Sequence, residues 1–147
     1  MRGESLGHVA ALVVSRGRSA DCSEVLRAIA EQTVAPASVT VVDVAGRGAA
    51  PWDATALPEG VRLVRVGRAK NLGDAVRRAV DEVSGSPGAF TGSRWWWVLH
   101  DDSAPESTCL ARLWRVAQSG RTIGAVGPKQ LSWDGSRLLE VGVFATR

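Results

Sequence analysis

Short apolar runs, each ending in a polar turn, alternate with amphipathic segments along most of this chain. Val9–Val14, Val39–Val44, Val61–Val66 and Trp95–Leu99 are such runs. Apolar runs of this length are typical of strands covered on both faces, as in a parallel sheet. Strands that alternate with helices predict an α/β fold with a mainly parallel sheet. This pattern limits the fold more than any single motif does.

The segments between these runs predict three helices. The first follows Asp21, the second begins at the N-cap residue Asn71, and the third is expected directly after Ser103. Two more strands are predicted at Ile123–Val126 and Leu138–Val143, separated by a turn. Residues 1–147 together suit a single domain.

Composition narrows the class of protein. The net charge is +3, and the arginines are scattered among acidic residues, which argues against a nucleic-acid-binding surface. Cys22 and Cys109 fit neither a zinc motif nor a disulfide framework. The chain has no signal-peptide pattern and no apolar run long enough to span a membrane. We therefore expect a cytoplasmic location, either free or at the inner face of the membrane within a larger protein.

Polar residues follow three of the predicted strands. Ser15 and Arg16 follow the first, Asp43 ends the second, and Asp101 and Asp102 follow the Trp95–Leu99 run. In open parallel sheets, ligands bind beyond the carboxyl ends of the strands. We therefore expect these residues to form one site.

The adjacent acids Asp101 and Asp102 have two interpretations. Carboxylates are ligands that Mg²⁺ and Mn²⁺ favour, usually one or two together with phosphate oxygens and water. This predicts a divalent-cation and diphosphate site. The alternative is a solvated turn before a helix, where acidic residues are common.

An ordered set of short motifs resembles family 2 glycosyltransferases. The set comprises Val13–Arg16, Leu26 with Gln32-Thr33 and Pro36, Val39–Asp43, Asn71–Gly73, Leu99–Glu106, Gly127–Lys129 and Leu139–Gly142. The last two stretches resemble a bacterial subgroup of large members, a class associated with cell-envelope glycans. The resemblance implies a three-layer, Rossmann-like GT-A domain that binds a nucleotide-diphosphate-sugar donor.

The resemblance also implies roles for individual residues. Asp102 matches the expected metal ligand, a Mg²⁺ or Mn²⁺ cofactor being implied, and Asp101 is expected near the ribose or the metal. Asp43 matches the acid that contacts the base or ribose, and Ser15 and Arg16 match the turn beside the nucleotide.

Three residues around the second helix complete the implied nucleotide site. Asn71 and Gly73 match a segment near the nucleotide, and Arg78 stands where that helix often carries an arginine.

The same resemblance predicts inverting sugar transfer to a glycan, lipid or protein acceptor. The general base is expected outside this chain, in an acceptor half that we expect to be missing beyond the C-terminus. Association with that half or with a second copy is open. The alternative functions are a catalytically inactive nucleotide-binding or interaction module, and a nucleotidyltransferase.

Overall fold

A four-stranded parallel sheet forms the centre of the protein. The computed structural model describes residues 4–17, 22–46, 52, 57–84 and 95–141. The strands are β1 (Glu4–Ser15), β2 (Val34–Asp43), β3 (Val61–Arg65) and β4 (Trp95–His100). Their order is β3-β2-β1-β4, and every neighbouring pair is parallel. The predicted α/β class and parallel sheet are thereby confirmed.

Three helices and a small ribbon complete the described structure. The helices are α1 (Cys22–Ala30), α2 (Leu72–Ser84) and α3 (Cys109–Gln118). The ribbon pairs β5 (Gln130–Leu131) with β6 (Leu138–Glu140) in antiparallel fashion. Among the described helices, none combines the length and apolar character that a membrane crossing requires.

The central strand β1 supplies side chains to two apolar clusters because successive side chains of a strand point to opposite faces. Val9, Ala11 and Val13 belong to one cluster, and Leu12 and Val14 belong to the other. The first cluster contains buried residues of α1 and α3: Cys22, Val25, Leu26, Ile29 and Leu110. The second contains Ala75 and Ala79 of α2. Burial on both sides explains why residues 9–14 of β1 are all apolar.

The three consecutive tryptophans of β4 divide between the same two clusters. Trp95 and Trp97 pack in the first cluster, and Trp96 packs in the second. Trp96 therefore points opposite to its neighbours, and Trp97 is buried while Trp95 and Trp96 are half-buried against the core. Trp52 is also buried, whereas Trp133 in the β5–β6 turn is 74% exposed.

Two of the strand predictions need correction. Strand β2 begins at Val34, so Pro36 lies within it and pairs with Leu6 instead of preceding the strand. The predicted strand at Ile123–Val126 is irregular in the structure. The side chain of Ile123 folds back over Gly120, where an added Cβ would meet it at 3.2 Å. The chain therefore turns at this point instead of extending.

The third helix begins later than the capping pattern predicts. Helix α3 starts at Cys109, and the Ser103 hydroxyl instead donates to the carbonyl of His100 at 2.7 Å. Ser103 therefore closes the turn after β4 and caps no helix. The last strand, predicted at Leu138–Val143, ends at Glu140, and Val141 lies outside it. The predicted cap of α1 at Asp21 and residues 142–143 lie outside the described residues.

Candidate functional site

The carboxyl ends of β2, β1 and β4 lie side by side and carry most of the predicted site residues. The parallel register pairs Ser15 with Asp43, and it pairs Val14 with His100. Asp101 follows directly, and its amide donates to the carbonyl of Val14 at 3.2 Å. The sheet order therefore brings Ser15, Asp43 and Asp101 to one edge, as the positions of these residues predict.

The turn after β1 connects to the acidic segment through the main chain. The amide of Arg16 donates to Oδ2 of Asp101 at 3.4 Å, and the Arg16 side chain is exposed. Ser15 is 1% exposed, and its Oγ accepts a bond from the amide of Gly17 at 3.3 Å. Gly17 has φ of 99°, a conformation that favours glycine. Ser15 therefore shapes the turn, while Arg16 projects from it.

Asp43 is held by the protein on both sides of its carboxylate. Its Oδ1 accepts from the amide of Ala45 at 2.8 Å, and its Oδ2 lies 3.8 Å from Nε of Arg65. The Asp43 side chain is 9% exposed. Much of this carboxylate is therefore engaged before any ligand arrives.

Arg65 is a site residue that the sequence-based prediction missed. It ends β3 in register with Asp43, and its guanidinium also donates to the carbonyl of Trp52 at 3.4 Å. Its position at the carboxyl end of a predicted strand could have indicated that Arg65 belongs to the site. Recognising its partner required the sheet order, since β3 could have paired elsewhere.

The acidic turn after β4 is the least satisfied part of this edge. The His100 carbonyl accepts bonds from both the amide and the hydroxyl of Ser103, which fixes the turn. Asp101 is half-buried, and Asp102 is exposed. Within the described ranges neither carboxylate forms an ion pair. Both therefore retain oxygen lone pairs for a cation or for water.

A divalent cation fits the donor chemistry of this turn. Among the residues that the structure describes, no group of three or more His, Cys, Asp or Glu side chains is arranged to hold a metal. Magnesium usually binds through one or two carboxylates and completes its shell with water and phosphate oxygens. Asp101 and Asp102 offer such a partial set.

The predicted residues of α2 serve mainly to build the helix. Oδ1 of Asn71 accepts from the amide of Asp74 at 2.9 Å, so Asn71 is the N-cap that the sequence predicts. The amide of Lys70 donates in return to the Asp74 carboxylate at 3.1 Å. Gly73 lies in the first turn of the helix, where an added Cβ would meet Oδ1 of Asn71 at 3.4 Å.

Asp74 is a carboxylate with several partners in the protein. The backbone N–H of Lys70 lowers the pKa of Asp74 most, burial opposes this shift, and Arg77 and Arg78 lower the pKa further. The two guanidinium groups lie 3.1 Å from its oxygens. Asp74 therefore remains ionised at neutral pH within a structural network.

Arg78 braces α2 against the segment that follows β3. Its Nε donates to Asp74, and its Nη1 donates to the carbonyls of Val66 and Arg68 at 3.3 and 3.4 Å. Most of its N–H groups are therefore occupied within the protein. In the described residues, no hydrogen bond or ion pair joins Asn71, Gly73 or Arg78 to the acidic turn, so their nucleotide-binding roles stay predictions.

Comparison with known proteins adds no relative. No protein-family model matches the chain, and neither the curated proteins nor the solved structures give a significant match.

Proposed function

We propose that this chain is the donor-binding part of a metal-assisted, inverting glycosyltransferase similar to family 2, with the three-layer GT-A arrangement. One observation carries the proposal. The parallel register places the Ser15-Arg16 turn, Asp43 and the acidic pair at adjacent strand ends. That edge is where open parallel sheets bind ligands.

The proposed site divides into a nucleoside side and a phosphate side. Asp43 and Ser15 lie at the strand ends on the nucleoside side, where Ala45, Arg65 and Gly17 hold them in place. The exposed guanidinium of Arg16 supplies positive charge beside the acidic turn. A guanidinium suits a phosphate group because its fork of donors matches the oxygens.

Asp102, with Asp101 beside it, would hold the cation on the phosphate side. A bound divalent cation supplies neutralisation of the charge that develops on a diphosphate leaving group. Asp102 is the more exposed of the two acids, and Asp101 is already in contact with the amide of Arg16. We therefore assign Asp102 as the principal ligand and Asp101 as the residue that joins the metal side to the β1 turn.

The proposed donor site includes neither the acceptor hydroxyl nor its general base. In an inverting transfer the base removes the proton of the attacking hydroxyl. We assign no such base within this chain. The donor site is therefore the part of the proposal that this chain tests by itself.

The test is calorimetric titration of the protein with UDP, GDP and dTDP, with and without Mn²⁺, supported by tryptophan fluorescence from β4. We expect one nucleotide to bind saturably and only when Mn²⁺ is present. In Asp102→Asn the affinity should fall at least about tenfold, because a neutral amide is a poor ligand for a hard cation. Circular dichroism should remain that of the wild type.

The matched control is Asp81→Asn, which removes an exposed aspartate of α2 paired with Arg77. It should bind like the wild type. Failure of the folded wild-type protein to bind any of the nucleotides would reject the proposal. Binding that is equally strong without Mn²⁺ and in Asp102→Asn would instead support a nucleotide-binding module that needs no metal.

A further inference from the structure

Gln32 is a buried polar residue far from the acidic pair in sequence but tied to the segment that follows it. It lies between α1 and β2 and is 7% exposed. Burial of an amide is costly unless each of its polar atoms has a partner. The partners of Gln32 therefore reveal what its burial achieves.

Both ends of the Gln32 side chain are satisfied. Its Nε2 donates to the carbonyls of Ala28 at 3.0 Å and Glu106 at 2.8 Å. Its Oε1 accepts from the amide of Leu110 at 2.9 Å. The two carbonyls on one side and the N–H on the other fix the orientation of the amide. One side chain thus joins the end of α1 to the chain on both sides of the α3 start.

This contact replaces a missing local cap. The N-cap residue Thr108 makes no side-chain capping bond, and the amide of Leu110 is in the first turn of α3. The first amides of a helix have no partner within the helix. Gln32 satisfies one of them from a position 78 residues earlier. The start of α3 is therefore set by tertiary contact.

A backbone bond beside Gln32 doubles the connection. The amide of Thr33 donates to the carbonyl of Ser107 at 2.8 Å. The segment 103–108 is consequently attached to the α1–β2 junction through two successive carbonyls, those of Glu106 and Ser107. At its other end the same segment joins Asp101 and Asp102, whose turn is closed by Ser103. Few residues therefore separate Asp102 from the attached carbonyls of Glu106 and Ser107.

We propose that Gln32 is a positioning residue for the acidic pair: it anchors segment 103–108 and thereby sets where Asp101 and Asp102 stand relative to the β1 turn. The expected effect of Gln32 on metal-dependent nucleotide binding rests on the proposed function. Gln32 itself touches neither acid in the structure. Its effect on binding is therefore indirect.

The test compares Gln32→Met with Gln130→Met. Methionine is similar in length to glutamine but has no amide, so Gln32→Met removes all three bonds. Gln130 is exposed and bonds to Glu140 in the ribbon, so it offers the same chemical change outside the segment. Gln32→Asn is a milder second variant, which keeps an amide on a side chain one methylene shorter and serves if Gln32→Met does not fold.

Two measurements separate positioning from general stability. Hydrogen exchange of the amides in residues 103–110 should speed up at least about tenfold in the Gln32 variants, with α2 unchanged. Affinity for the Mn²⁺–nucleotide pair should fall about tenfold, the range seen when groups that orient metal ligands are lost. Without Mn²⁺ neither the wild type nor the Gln32 variants should bind nucleotide, and Gln130→Met should match the wild type in every measurement.

Each outcome decides a different claim. Folded Gln32 variants that bind the Mn²⁺–nucleotide pair like the wild type would overturn the positioning role. If the wild type itself does not bind, the proposed function is rejected, and hydrogen exchange alone decides whether Gln32 anchors the segment. Unchanged exchange in residues 103–110 would overturn that anchoring.

Discussion

The aspartates on the two sides of the sheet's carboxyl edge differ in how completely the protein satisfies them. On the β2–α2 side, Asp43 and Asp74 each accept a backbone N–H and lie close to arginine. On the β1–β4 side, Asp101 has one long bond from the amide of Arg16, and Asp102 is exposed. The same residue type is thus embedded in one region and open in the other.

This difference distinguishes carboxylates that the protein already engages from carboxylates that remain open to a ligand. A carboxylate with several partners contributes to folding, and any ligand must compete with those partners. A carboxylate without them offers its lone pairs at less cost. The contrast therefore favours Asp101 and Asp102 as the ligand side of the site. It assigns Asp43 and Asp74 first to the support of the fold.

The largest effect on stability is expected from Asp43→Ala. The amide of Ala45 would lose the acceptor of its part-buried bond, and the exposed guanidinium of Arg65 would lose its counter-charge 3.8 Å away. The free energy of unfolding should fall by about 1–3 kcal/mol, as measured by urea denaturation. Asp43→Asn retains an oxygen for the Ala45 amide and should lose less. If Asp43→Ala were as stable as the wild type, the partners of Asp43 would not contribute to folding, and the contrast between the β2–α2 and β1–β4 sides would fail.

A smaller loss is expected from Asn71→Ala, which removes the N-cap of α2. The free energy of unfolding should fall by about 1 kcal/mol, because the amide of Asp74 loses its side-chain acceptor. Asn71→Asp preserves the acceptor and should restore stability. If Asn71→Ala instead weakened nucleotide binding with stability unchanged, Asn71 would belong to the ligand site.

The smallest effect concerns pH and Asp74. The Lys70 amide and the neighbouring arginines lower the pKa of Asp74, so its ionised form stabilises the folded state. The stability advantage of wild type over Asp74→Asn should be complete above about pH 4, the ordinary carboxyl pKa. It should disappear as pH falls through the lowered folded-state pKa.

Denaturation of both proteins between pH 7 and pH 2 measures this advantage, with Asp81→Asn on the same helix as the matched control. An advantage that persists undiminished at pH 2 would show that the ionised carboxylate is not its source.

The sheet could be predicted from sequence because its information is local. Each strand is marked by its own apolar run, and the alternation with helices indicates parallel pairing. Parallel strands share their carboxyl ends at one edge, so the convergence of Ser15, Asp43 and Asp101 also follows from local signals. The N-cap Asn71 was predictable for the same reason, since its bond spans three positions.

Two features that the sequence did not predict are set by distant contacts. Ser103 has the spacing of a cap, yet its hydroxyl bonds back to His100, and α3 starts where Gln32 meets Leu110. The Asp43–Arg65 contact likewise depends on β2 and β3 being neighbours. The sequence around Leu110 and Asp43 gives no indication that Gln32 and Arg65 are their partners. The metal, the nucleotide and the sugar stay predictions because they concern molecules outside the chain.

The central position of β1 has a consequence for how the protein folds. The first strand of the chain pairs with β2 soon after, but its other partner, β4, lies roughly 85 residues further on. One side of this very apolar strand therefore stays unpaired until most of the chain is present. Bringing β1 and β4 together costs conformational entropy before any stabilising contact between them forms. Pairing of strands so distant in sequence therefore slows folding. During synthesis, β1 is accordingly the segment most exposed to pairing with the wrong partner.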